Sequence, residues 1–167
     1  MVAVARFDTE EDARRSAERP EHARWWTEME GAFDGEATVD DSTGVDDYVV
    51  GDPGTAGFVQ VMHGRVTDLE RATMLMRQRP DDFHELRPDV LELLGVAHTD
   101  GRWTSVAYFT SEAEARRHES QDPPPDFVEM MKELRSISIG EPRYDDLRQV
   151  WFLSPESVRR GSMAGSS

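Results

Sequence analysis

The sequence predicts an α+β fold: a ferredoxin-like sandwich with one antiparallel sheet, preceded by half of a second such unit. Three observations predict it. From Phe58 to Leu153 the chain reads strand, helix, strand, strand, helix, strand, the βαββαβ order of that sandwich, with both helices on one face of the sheet. Phe58–Val66 carries apolar groups on both faces, Phe58 and Met62 on one, Val59 and Val61 on the other, so the strand is covered on both sides. Finally, one phrase occurs twice. Val4-Ala-Arg-Phe-Asp-Thr-Glu-Glu-Asp-Ala-Arg-Arg15 returns as Val106-Ala-Tyr-Phe-Thr-Ser-Glu-Ala-Glu-Ala-Arg-Arg117, at an offset of 102 (109 − 7 and 117 − 15).

The elements follow in order. Val2–Phe7 is a short apolar run with β-branched residues and predicts a strand. Thr9, three residues before Asp12, caps a helix. Pro20 interrupts that helix, and a second piece places Trp25, Trp26, Met29, Ala32 and Phe33 on a broad face as far as Gly35. Ala37–Asp41 and Asp47–Val50 are short extended segments. Gly51-Asp-Pro-Gly-Thr-Ala-Gly57 breaks regular structure and marks a linker. After the strand Phe58–Val66, Thr67 and Glu70 form a capping box. The helix that follows shows Leu69, Ala72, Met76 and Phe83 on one face, and Pro80 divides it. Val90–His98 and Trp103–Phe109 are strands joined by the hairpin turn Thr99-Asp-Gly-Arg102. Ser111 and Glu114 cap the next helix, and Pro123-Pro-Pro125 ends it. A fresh helix begins there, with Asp126 at its positive end and Phe127, Met130, Met131 and Leu134 at i, i+3, i+4, i+7. Arg143–Leu147 and Val150–Leu153 are the last extended pieces, and Ser154–Ser167 is a polar, flexible tail.

Composition narrows the function classes. The 167 residues carry a net charge of −15 with no basic stripe, which disfavours nucleic acid and anionic membrane surfaces as partners. Lys132 is the single lysine, a bias that a genome rich in G and C explains. The absence of cysteine excludes disulfides, thiol catalysis and Cys-ligated metals. No signal peptide and no apolar segment of membrane-spanning length is present, so a cytoplasmic location is expected. There is no Gly-rich phosphate loop and no Ser-His-Asp signature, and no cofactor or metal is expected.

The offset of 102 also aligns Ala13 with Ala115, Trp25 with Phe127, Met29 with Met131, Ala32 with Leu134 and Val50 with Phe152. Residues 1–50 therefore read as the second half of a unit, strand-helix-strand, whose complete version is 58–153 after a linker at 51–57. In a sheet of order 4-1-3-2 such a half holds strands 3 and 4 and lacks strand 1 between them, which leaves their edges unpaired. Three outcomes are open: coding sequence upstream of Met1, direct pairing of the two strands, or a neighbouring chain in the gap. The first is the expectation.

The complete unit, with Phe58-Val-Gln-Val-Met-His-Gly-Arg-Val-Thr-Asp68 and Val106-Ala-Tyr-Phe-Thr-Ser-Glu-Ala-Glu-Ala115, resembles the dimeric α/β-barrel superfamily. That group includes the antibiotic-biosynthesis monooxygenase-like and stress-responsive A/B-barrel domains. The chain looks particularly like uncharacterised actinobacterial proteins with two such units in tandem, here shortened at the N-terminus. The resemblance implies two sheets packed face to face into a barrel, within one chain or between two. It also implies functions ranging from cofactor-independent quinone-forming oxygenases and haem-degrading enzymes to proteins without known activity. Catalytic members rely on an asparagine with a tryptophan. This sequence has no asparagine, so no catalytic residue is carried over.

The residues themselves offer a ligand-pocket set. His63 stands in the first strand of the complete unit and Tyr108 in the neighbouring third, while His98 and Trp103 flank the hairpin turn. A histidine with a tyrosine and a tryptophan in a sheet-lined cavity suits a planar aromatic ligand or a positioned proton transfer. In the first copy Arg6 stands where the second has Tyr108, so the two copies would line different cavities. Asp81-Asp-Phe-His-Glu85 brings carboxylates near a histidine, but its spacing matches no metal signature and suits a helix N-terminus. Trp25-Trp26 reads as one core and one partner-facing ring. The favoured function is a non-catalytic small-molecule-binding or stress-associated protein with a small apolar or aromatic ligand. The alternative is a cofactor-independent monooxygenase-like enzyme acting on a small aromatic or polyketide-like substrate.

Overall fold

The computed structural model describes residues 2, 4–30, 42, 45–80 and 82–150. The chain divides into two compact units, Met1–Thr43 and Gly44–Ser167.

The described residues of the first unit hold two helices, α1 (Glu10–Ala17) and α2 (Pro20–Glu30). Thr9 caps α1: its hydroxyl accepts from the backbone N–H of Asp12 at 3.1 Å and donates to the Asp12 carboxylate at 2.7 Å. Three acidic residues, Glu10, Glu11 and Asp12, then occupy the positive end of the helix dipole, with Arg14 and Arg15 in the last turn. α1 ends at Ala17 and Pro20 opens α2, so the helical pattern breaks ahead of Pro20 as expected. Of the apolar face read over Trp25–Phe33, the Trp26 ring is described and meets His22 edge-on at 6.2 Å. The side chains of Trp25 and Met29 and the segment 31–41 lie outside the described residues, and so does the extended segment expected at Ala37–Asp41. The strand expected at Val2–Phe7 is not formed over its described residues, where Val4 and Phe7 stand exposed. A strand needs a neighbour for its N–H and C=O groups. None of the elements described in this unit is a strand.

The second unit is a five-stranded antiparallel sheet. Its strands are β1 (Val45–Val49), β2 (Phe58–Arg65), β3 (Val90–Ala97), β4 (Arg102–Phe109) and β5 (Arg143–Leu147), in the order β1-β3-β4-β2-β5. The last four strands reproduce the expected 4-1-3-2 order, and the extra strand lies on the β3 edge. β1 comes from the stretch read as the end of the first copy. Val45 opposes Val96 and Val49 opposes Glu92, so this strand finds its partner in the complete unit, an outcome outside the three considered. The Gly51–Gly57 segment is tied to the sheet as well. Val50 and Gly51 N–H groups donate to Leu91 O, and Gly57 N–H donates to Phe109 O. The division between units therefore falls at 43/44, ahead of the linker read from glycine and proline.

Between β2 and β3 lie α3 (Leu69–Arg77) and the short α4 (Phe83–Leu86), separated around Pro80. The cap of α3 is Asp68, whose carboxylate accepts from Arg71 N–H at 2.9 Å. The Thr67 hydroxyl, expected in that role, instead donates to Ile137 O. Leu75, with Ala72, is the buried face of α3, while Met76 points outward. After β4 come α5 (Glu112–Glu119), capped by the Ser111 hydroxyl on Glu114 N–H at 3.2 Å, and α6 (Pro125–Ile137). Arg71 of α3 bonds Glu133 of α6 across the helix pair. On α6 Met131 is exposed, and Phe127, Met130 and Leu134 are half-buried. At the end of β5, Val150 is not in a strand, and the rest of the Val150–Leu153 segment and the tail lie outside the described residues.

Register defines the two faces. Phe58, Gln60 and Met62 share one face with Phe109, Ala107, Ser105 and Leu93. On this face Ala115 of α5 and Phe83 of α4 pack with Phe58, Val90, Ala107 and Phe109 in one apolar cluster. The Phe58 and Phe109 rings stack at 5.7 Å, the Arg116 guanidinium lies over Phe58 at 5.3 Å, and Phe83 meets Tyr48 of β1 edge-on at 5.6 Å. The opposite face presents Val59, Val61, Leu94, Val106 and Tyr108, all buried. Both faces of β2 are therefore covered, as its apolar pattern predicts.

Candidate functional site

His63 lies near the far end of β2, directly across from Thr104 of β4 and Arg143 of β5. Its Nδ1 is 3.1 Å from Thr104 Oγ1, and its Nε2 is 3.6 Å from Asp145 Oδ2. Asp145 accepts two hydrogen bonds from Arg143, at 2.7 and 3.1 Å. The imidazole is about one-third exposed. This is an accessible His–Thr–Asp–Arg row on the Val59 face, with the imidazole oriented from both sides.

Tyr108 shares that face and opposes Val59. Between the two lies the fully buried Val61–Val106 pair. Four residues along a strand span about 13 Å, so the phenol and the imidazole do not meet. Trp103 stands on the other face, beside Ala97 and Gly64. Its indole lies on Gly64 so closely that a Cβ at that position would fall 2.5 Å from the ring. His98 sits at the mouth of the hairpin, where its N–H donates to Arg102 O at 2.8 Å. Its Nε2 is buried without a hydrogen-bond partner. In the same turn Asp100 accepts from Arg102 N–H at 3.1 Å and from Arg102 Nε at 2.7 Å. The Arg102 side-chain hydrogen bond holds the Asp100 carboxyl below its usual range. The four residues thus occupy four separate places: His63 and Tyr108 at two points of one face, Trp103 on the other, and His98 at the turn.

Arg6, read as the counterpart of Tyr108, is exposed and lies outside any strand, so the pair does not compare two sheet positions. His84 and Glu85 are exposed and 3.9 Å apart. Asp81 lies outside the described residues. Among the described residues no group of three or more His, Asp or Glu is arranged to hold a metal ion.

Two buried polar groups escaped the sequence reading. Glu92 stands directly across from Tyr108 and is almost fully buried. Its signal was a single carboxylate at a period-two position inside the apolar run Val90-Leu-Glu-Leu-Leu94. Asp89, also buried, accepts from Arg87 Nε at 3.0 Å and from its NH2 at 2.8 Å, and lies 3.1 Å from Nδ1 of the buried His118. This cluster joins the start of β3 to α5, 29 positions apart in the chain (118 − 89), and no local pattern announces it. An open groove of about 750 Å³ runs along α3, lined by Leu69, Glu70, Thr73, Met74, Arg77 and Gln78. None of the four expected pocket residues borders it.

No protein-family model matches this chain, and no curated protein does. Solved structures do. The chain is similar to a protein proposed to be a monooxygenase from Lactobacillus acidophilus NCFM, at 13% identity over 84% of this chain, with a TM-score of 0.61. It spans 66% of that protein's length. It is also similar to the ActVA-Orf6 monooxygenase of Streptomyces coelicolor, crystallised with nanaomycin D. There the identity is 24%, the coverage 62% of this chain and 96% of that one, and the TM-score 0.50. These likenesses show the fold alone: α+β, with a ferredoxin-like antiparallel sheet. Among the described residues no helix is long and apolar enough to cross a membrane.

Proposed function

We propose that this chain is a small-molecule-binding protein on a monooxygenase-type fold, without a catalytic centre of its own. The observation that carries this reading is the separation of the candidate residues. Proton transfer and nucleophilic chemistry require groups within hydrogen-bond reach of one reacting atom. His63, Tyr108 and Trp103 do not converge on such a point. The ligand side is a small apolar or aromatic molecule. Half-buried Trp103, Met62 and Leu93 share one sheet face and offer it aromatic and apolar contact. The chain also carries two units of one kind in tandem. The equal length and equal capping of α1 and α5 support this.

Native mass spectrometry of protein purified from its own host tests the binding role. A small organic species that leaves on denaturation is the expected result, and Trp103→Ala weakens its retention. A ligand-free protein, or retention unchanged in Trp103→Ala, overturns the assignment of that face.

A second reading is a cofactor-independent monooxygenase-like enzyme acting on a polyketide-like substrate. Its support is the fold likeness to a monooxygenase crystallised with nanaomycin D, together with the accessible His63–Asp145 pair. Oxygen uptake with a fused-ring phenol, lost in His63→Ala, would favour it over the first.

A further inference from the structure

Arg71 of α3 divides its guanidinium between two neighbours. Nε and Nη2 donate to Glu133 Oε1 of α6. Nη1 is turned to the thioether of Met74, with Sδ at 3.9 Å. Residues three apart lie on one stripe of a helix, so both side chains keep to the same flank of α3. Glu133 holds the guanidinium from across the helix pair, which keeps Nη1 on the sulfur. Met74 itself is 44% exposed and lines the open groove beside Leu69, Glu70, Thr73 and Arg77.

Two other methionines make the comparison. Met76 on α3 and Met131 on α6 are 38% and 36% exposed, close to Met74. Among the described residues, Met74 is the one of the three with a hydrogen-bond donor at its sulfur. A neutral thioether is a weak acceptor for so strong a donor. The polar oxygen of a sulfoxide is a far better match for a guanidinium.

We propose that Met74 is a sulfoxidation site, oxidised by hydrogen peroxide, and that Arg71 receives the product. The sulfur lone pair attacks one peroxide oxygen, and the S–O bond forms as the O–O bond breaks. The proton on the transferred oxygen passes to the departing hydroxide, which leaves as water. Sulfur is oxidised by two electrons and the peroxide is reduced by two. Arg71 Nη1 donates to the transferred oxygen as charge develops on it, which favours attack from the Arg71 side. In the product that oxygen lies one bond length nearer Nη1 than the sulfur does. Glu133 is held by Nε and Nη2, so Nη1 serves the sulfoxide without releasing α6. A sulfoxide sulfur is chiral, and a donor fixed on one side selects one epimer. Oxidation also turns an apolar wall of the α3 groove polar. The inference goes beyond the ligand reading and does not depend on it.

The test exposes the full folded chain to dilute hydrogen peroxide, then digests it and follows each methionine by fragment mass spectrometry. The digested peptides are next treated with the two methionine sulfoxide reductases, each of which takes one epimer, so the fraction reduced by each gives the epimer ratio. Met74 is expected to oxidise about fivefold faster than Met131 and to carry about a fivefold excess of one epimer, the factor that a net hydrogen bond of ordinary strength supplies. Arg71→Gln is expected to bring the rate at Met74 down to that of Met131 and to level its epimers. Oxidation in urea, where α3 is unfolded, is expected to level them too. The ratio in the unsubstituted chain is read without any variant, so it stands even where Arg71→Gln lowers stability. Oxidation of Met74 no faster than Met131, or equal epimers in the folded chain, overturns the proposal. So does an excess that persists in Arg71→Gln or in urea, because it then arises without the guanidinium.

Discussion

Asp89 has no exposed side-chain surface, yet it carries the charge that Arg87 and His118 share. Removing one partner of a buried ionic cluster leaves the others desolvated and unpaired, which costs about 3–5 kcal/mol. Asp89→Ala is therefore expected to lower the unfolding free energy of the second unit, read from urea melts, by about that amount, with Asp89→Asn less severe because the amide still accepts one hydrogen bond. Two glycines make a controlled comparison. Gly101 has φ 82° and Gly140 φ 74°, both left-handed. Alanine at either position meets about 1–2 kcal/mol of backbone strain. At Gly101 the new Cβ would also lie 2.7 Å from Val66 O, while at Gly140 nothing stands within 4 Å. Gly101→Ala is thus expected to lose clearly more stability than Gly140→Ala, measured as the difference in melting temperature. The Asp-Gly signal placed the first of these turns correctly. Nothing local announced the Asp89 cluster, because its partners meet through tertiary packing.

The same cap chemistry gives two helices of different standing. Ser111 and Thr9 each satisfy one open N–H of their helix, an interaction worth about 1 kcal/mol. α5 buries Ala115, whereas α1 has no buried residue. Ser111→Ala is expected to lower the global melting temperature. Thr9→Ala is expected to speed hydrogen exchange within α1 and leave the sheet unchanged. α5 is further tied to the β5 edge by Glu112–Arg148 and Arg116–Asp146. The Arg148 hydrogen bond holds the Glu112 carboxyl below its ordinary 4.5, and the Arg117 hydrogen bond does the same for Glu114. A carboxyl depressed in the folded state stabilises above its unfolded value and loses that contribution as pH falls through the folded one. Melts below pH 4.5 are therefore expected to show a loss that Glu112→Gln partly removes and that high salt reduces at every pH, since these groups face solvent. At this scale the strands, the hairpin and the hydroxyl caps were legible, because each is set by residues within four positions. The cap of α3, expected at Thr67, falls one residue on, at Asp68. Both can accept a hydrogen bond from the first turn, and only packing against Ile137 decides which one does.

For the whole molecule the decisive strand is β1. Its sequence, Val45-Asp-Asp-Tyr-Val49, shows a modest alternation, and the glycines that follow suggest that it belongs to what precedes them. Strand pairing is a long-range choice, and β1 pairs with β3 about 45 positions further on. Its place has consequences on one face of the edge, which Asp46 and Tyr48 share. Tyr48 stacks edge-on with Phe83 and lies 4.8 Å below the Arg79 guanidinium, and Asp46 accepts from Arg77 and Arg79. Two truncations separate the unit boundary from the glycine-rich linker. A chain starting at Gly44 retains β1 and every one of these contacts, and it is expected to melt within a few degrees of the full chain. A chain starting at Asp52 loses five residues of ladder, the Tyr48–Phe83 contact and both arginine pairs. It also exposes the β3 edge, an open template for aggregation. It is expected to melt well below the first and to associate at concentrations where the first stays monodisperse. Equal melting temperatures for the two truncations would show that β1 is dispensable and would return the boundary to the linker. A large loss already at Gly44 would show that the helices of the first unit, although α1 buries no residue, are needed for the sheet.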